Sequence, residues 1–121
     1  MGKVLEMDDI LRMNVKEREN EITVRFKKTV MVKPYQPEVY EAENTVRVDK
    51  SVSGAERIIL EAVLLAQLEY GCYIQMHSRG YITDSEFVDR KKEIIQGTQM
   101  VYDKYVSMYG KQPEELMEMI Q

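Results

Sequence analysis

Two stretches between residues 21 and 49 alternate apolar and polar side chains in step, and this limits the fold more than any other feature. In the first, Ile22, Val24, Phe26, Val30 and Val32 hold even positions and only Lys28 breaks the series. In the second, the even positions are Tyr40, Ala42, Val46 and Val48, with Asn44 as the break. A period of two reads as a strand with one buried face. Folding the chain at Pro34-Tyr35-Gln36-Pro37 predicts an antiparallel hairpin over 21–49. Its expected register sets Lys28 opposite Asn44, Phe26 opposite Val46 and Val30 opposite Ala42. Arg25 then lies opposite Arg47 on the other face. Two strands are not stable alone, so helices or partner chains must complete the core.

Helix signals follow the hairpin. Ser53-Gly54-Ala55-Glu56 and Thr83-Asp84-Ser85-Glu86 are both capping boxes, with the hydroxyl bonding forward and the carboxylate reaching back. They predict helices over about 54–79 and 84–109, halted by Gly80 and Gly110. Pro113, Glu114 and Glu115 begin a terminal helix over 113–121. The two long helices, joined by about five residues, should lie antiparallel. Residues 1–20 read as an N-terminal arm with a short helix over 4–14, and 21–121 as a single domain. The expected fold class is α+β: an antiparallel β-hairpin packed on a long helical hairpin with a short C-terminal helix, in an oligomer.

The oligomer is expected from the first long helix. Ile58, Ile59, Ala62, Val63, Leu65 and Ala66 form one apolar face, while Leu60, Leu64 and Leu68 fall outside it. A helix apolar most of the way round must be covered on more than one side. Copies of the chain could supply that cover, through this helix or through the open sheet edges. Gly71 inside the helix costs ~1 kcal/mol relative to alanine and suggests close approach of another backbone. In the second helix Phe87, Ile94, Val101 and Met108 recur every seven residues, flanked by Val88, Ile95, Tyr102 and Tyr109. That spacing predicts a coiled-coil-like seam against the first helix.

Composition narrows the functional classes. With 121 residues, 44% of them apolar, the chain suits one globular domain. Its longest apolar run, Ala62–Ala66, falls well short of the ~20 residues of a membrane span. Acids at Glu6, Asp8 and Asp9 occupy the place of a signal peptide's apolar stretch, so a cytoplasmic location is expected. The net charge of −4 argues against duplex nucleic acid but leaves room for a small anionic ligand. Cys72, the single cysteine, excludes an internal disulfide and a cysteine-based zinc site.

No catalytic pattern is present in the sequence. His77 is the only histidine, and Cys72 lies about 140° away round the helix, so they do not form a nucleophile–base pair. There is no pair of histidines one turn apart and no glycine-rich loop after a strand. The expectation is a protein that is not an enzyme and uses no metal or cofactor. What remains is recognition. Arg25 and Arg47 can clamp a phosphate, or a partner's carboxylate. Tyr70, Tyr73 and His77 share a helix face, with Arg79 and Tyr81 beyond. Such a strip can sandwich a purine while Arg79 and the imidazole meet phosphate, or it can serve as a helix interface.

The run Lys28-Thr29-Val30-Met31-Val32-Lys33-Pro34-Tyr35-Gln36-Pro37, a charged return strand and a long helix resemble small bacteriophage anti-defence proteins. These include the nucleotide sponges that blunt bacterial CBASS and Thoeris immunity by sequestering nucleotide signals. The likeness spans about residues 22–70 and carries over no ligand contact by position. It implies a non-catalytic, homo-oligomeric phage protein that binds a cyclic nucleotide between subunits in the host cytoplasm. Candidate ligand residues are Arg25, Arg47, Tyr73, His77 and Arg79, with Tyr35 stacking at the turn. The alternatives are a protein-binding inhibitor of a host defence enzyme, similar to an anti-CRISPR, and an oligomeric phage assembly accessory.

Overall fold

The computed structural model describes residues 20–34 and 36–121. The arm and its helix over 4–14 lie outside the described residues, as does Tyr35. Strand β1 (Glu21–Lys33) pairs antiparallel with β2 (Gln36–Arg47). Helices α1 (Gly54–Ser78), α2 (Asp84–Tyr109) and α3 (Pro113–Met117) follow. The α+β class and the helical hairpin are as the sequence predicts.

The register differs from expectation by four residues. Lys28 lies opposite Tyr40, Asn44 opposite Val24, Phe26 opposite Ala42 and Val30 opposite Glu38. Two causes combine. The strands approach to Lys33 opposite Gln36, a tighter reversal than a turn spread over 34–37, and the register shifts by one between Met31 and Lys33. That shift restores even-to-even pairing, so the expected faces survive although every partner changes. The outer face gains by it. Arg25 pairs with Glu43 at 3.0 Å, Lys27 with Glu41 at 3.5 Å and Arg47 with Glu21 at 3.8 Å. Thr23 and Thr45 share a 2.8 Å hydroxyl bond. The expected Arg25–Arg47 and Lys28–Asn44 pairs do not form.

Leu60 and Leu64, the leucines that fell outside the apolar face of α1, are buried, and Leu68 is half-buried. They stand in a row at steps of four that continues to the buried Cys72 and Met76. The inner face of the hairpin lies along this row. Ile22, Val24 and Val48 share a core cluster with Leu60 and Leu64. Val30, Phe26, Tyr40 and Ala42 share a second cluster with Cys72 and Met76, and Leu68 touches both. Rows at steps of four are one of the ridges into which elements pack on a helix. The chain therefore covers these leucines itself, and they give no reason to require a second copy. Ile58, expected on the core face, is 68% exposed. By mean hydropathy α1 is long and apolar enough to cross a membrane. In this fold its apolar surface is divided between the hairpin and α2.

The caps explain where the helices begin. Ser53 Oγ accepts from Glu56 N at 3.1 Å, and Glu56 Oε1 accepts from Ser53 N at 3.3 Å. Thr83 Oγ1 accepts from Glu86 N at 3.1 Å and donates to Glu86 Oε1 at 3.5 Å, in place of the reciprocal bond from the carboxylate to the cap backbone. Gly80 and Gly110, at φ 75° and 63°, take the left-handed conformation that ends a helix. The terminal helix is shorter than expected. It stops at Met117 because Ile120 bridges to Val48 and Gln121 N donates to Arg47 O at 2.8 Å. This tail covers one end of the β2 edge. A Cβ at Gly71 would meet nothing within 4 Å, so no backbone of the described residues approaches it.

Burial, with the Glu69 carboxylate second, pushes the Cys72 thiol above its usual range. Iodoacetamide should label Cys72 at least ten times more slowly in the native protein than in urea. Equal rates would place that residue outside the core.

Candidate functional site

The row followed by the hairpin turns about 40° round α1 with each step of four. Between Leu60 and Met76 it passes to the opposite side of the helix. The two flanks of the α1–α2 pair are therefore left open at different places. On one flank, Ala66, Gln67 and Tyr70 of α1 face Ile94, Ile95, Thr98, Gln99 and Tyr102 of α2 across a groove of about 380 Å³. On the other, Ala62, Leu65, Glu69 and Tyr73 face Arg90, Glu93, Gly97 and Val101 across about 360 Å³.

The chemistry of the first groove suits a flat ring. Tyr70 and Tyr102 bring aromatic faces, Gln67 and Gln99 bring carboxamides that both donate and accept, and Thr98 brings a hydroxyl. Gln99 Nε2 already donates to Asp103 Oδ1 at 2.9 Å, and Thr98 Oγ1 donates to Ile94 O at 2.8 Å. The volume falls within the ~300–1,000 Å³ of small-molecule sites. In the second groove burial raises the Glu69 carboxyl above the usual carboxylate range, and Arg90 is bound to Glu93 at 2.6 Å.

The five described residues among the six expected to bind ligand are not brought together within one chain. Arg25 and Arg47 stand on the outer face of the hairpin, each beside a glutamate. Tyr73 is buried under the inner face, edge-on to Phe26 at 5.5 Å, with Lys28 Nζ 5.1 Å from its ring centre. Its phenol is raised above the ordinary value, chiefly by burial. His77 stacks on Phe87 at 4.5 Å, and its Nε2 meets Asp84 Oδ1 at 2.5 Å. Arg79 is exposed just past the end of α1, where its backbone N–H caps the helix. Tyr35 lies outside the described residues.

Of the groove residues, the sequence singled out Ala66 on the apolar face of α1, Tyr70 in the aromatic strip, and Ile94, Ile95 and Tyr102 in the seam. Gln67, Thr98 and Gln99 were missed. The signal that could have found them is the one-turn spacing of Gln67 and Tyr70 on α1 and of Ile95, Thr98, Gln99 and Tyr102 on α2. Among the described residues no three histidine, cysteine, aspartate or glutamate side chains are grouped to hold a metal. Among the described residues His77 Nε2 pairs with Asp84, and no hydroxyl or thiol is bonded to it. No family model, curated protein or solved structure matches this chain.

Proposed function

We propose that this chain is a non-catalytic binding protein that holds a cyclic nucleotide by its base in the Gln67–Tyr70–Gln99–Tyr102 groove. It withholds that signal from a host immune effector, as a phage-type sponge does. The observation that carries this reading is the pairing of two tyrosines with two carboxamides across one open groove. Stacking on the phenol rings supplies affinity, and the amides supply contacts to a base edge. Position 91 places a lysine one turn from Ile95 on the same side of α2, available to a phosphate. Sequestration works by mass action and requires no turnover.

A thermal-shift panel of cyclic di- and trinucleotides and cyclic ADP-ribose variants tests the reading. A ligand at a hundred-fold excess over its dissociation constant should stabilise the protein by about 2.7 kcal/mol. Tyr70→Ala and Tyr102→Ala should each abolish the shift, while Arg25→Ala leaves it intact. No shift with any member of the panel removes the sponge reading. The protein-binding inhibitor is then the reading to pursue by pull-down. It is favoured by the outward apolar side chains of α2 at Val88, Ile95 and Val106.

A further inference from the structure

The seven-residue spacing on α2 serves two partners. Phe87, Ile94 and Val101 are half-buried within the chain. The neighbouring column, Val88 and Ile95, is 49% and 55% exposed. With the half-buried Tyr102 it repeats every seven residues along the outside of the helix, and Val106 lies one turn further on. A repeat of seven keeps a seam in register with a second helix, whereas a solvent face needs no such spacing.

The charges beside this column say which helix. Lys92 and Asp103 flank it on the same side, one in each half of α2. Neither is in an ion pair among the described residues, and Asp103 accepts only the amide of Gln99. A second α2 laid antiparallel about a two-fold axis near residues 97–98 sets each Lys92 beside the other copy's Asp103. It also sets Val88 near Val106 of the mate. In a parallel mate, residues on the same side of the column fall on opposite flanks of the seam, so Lys92 and Asp103 would not meet.

We propose that two copies of this chain associate through the outer column of α2, antiparallel, with two reciprocal Lys92–Asp103 ion pairs. The interface borders the groove that contains Ile95, Gln99 and Tyr102, so each copy closes the other's groove. The inference deepens the sponge reading by naming what completes the binding crevice. The association itself does not depend on the ligand.

Light scattering after size exclusion should give twice the 14.2 kDa chain mass at micromolar concentrations. Lys92→Asp and Asp103→Lys should each weaken the dimer at least tenfold. The double variant Lys92→Asp/Asp103→Lys should return to within about threefold of the parent. Circular dichroism of the singles establishes that they fold, and both positions are exposed. A Gln99→Cys variant should crosslink under mild oxidation at least ten times faster than Lys104→Cys, an exposed position about 140° further round α2. A monomer at every concentration, or a dimer indifferent to the single charge changes, overturns the proposal. Dimer without any nucleotide shift retains this inference and removes the sponge. A nucleotide shift in a monomer does the reverse.

Discussion

Leu60→Ala should lower folding stability by about 2–5 kcal/mol, while Ile58→Ala, two residues earlier on the same helix, should change it by less than about 0.5 kcal/mol. Leu60 is 0% exposed and sits where the base of the hairpin meets α1, among Ile22, Val24 and Val48. Removing its isobutyl group forfeits transfer energy and leaves a cavity bounded by strands on one side and helix on the other. Ile58 contributes almost nothing to the interior. Urea unfolding with unchanged slope is the measurement, since a changed slope would mean altered compactness. The comparison separates two ways of reading one apolar helix. Were the Ile58 variant the less stable, the hairpin would not lie along the row of leucines.

The second large effect is at Tyr105, which has no exposed surface and joins α2 to the lower core with Leu116. Tyr105→Ala should cost about 3–5 kcal/mol, in line with other aromatic truncations. Tyr105→Phe should be neutral or stabilising, because the phenol oxygen has no hydrogen-bond partner among the described protein groups and the ring is retained. Burial, and after it the Glu56 carboxylate, raises this phenol above its ordinary value. The sign of the pH effect follows. Above about pH 10 the unfolded chain loses the proton first, so stability falls as pH rises. That alkaline loss should be smaller in Tyr105→Phe. A Phe variant weaker than the parent by more than about 1 kcal/mol would show that the hydroxyl is bonded.

Some of the fold was legible because it depends on neighbours in sequence. Ser53 and Thr83 mark helix starts through bonds to residues three positions on, and Gly80 and Gly110 mark ends through backbone conformation. The strand faces were legible as well, since alternation survives any even shift of register. The register itself was not fixed by alternation, because a slip of four leaves every side chain on its expected face. A cue was available in the charges. The observed pairing sets Arg25 against Glu43, Lys27 against Glu41 and Glu21 against Arg47, whereas the expected one opposed two arginines. Cross-strand pairs are worth roughly 0.2–1 kcal/mol each, enough in sum to choose between registers of equal parity.

The candidate site was less legible. Tyr73 and His77 share a helix face with Tyr70 at spacings of three and four, yet each meets a different neighbour. Tyr73 goes under Phe26 and Lys28, and His77 goes against Phe87 and Asp84. Tyr70 alone of the three lines the first groove. Spacing within one helix says which side chains are adjacent but not which element lies over them.

The sequence by itself determined the hairpin's two faces, the starts of the helices and the pairing of one long helix with the next. Each follows from bonds or periodicities local to the chain. Only the tertiary structure decided that the hairpin crosses α1 along Leu60, Leu64, Leu68, Cys72 and Met76. That oblique path buries leucines that looked surplus and leaves a groove open beside Tyr70. The reason is geometric: a helix apolar on several sides offers more than one row for packing, and its own periodicity does not rank them.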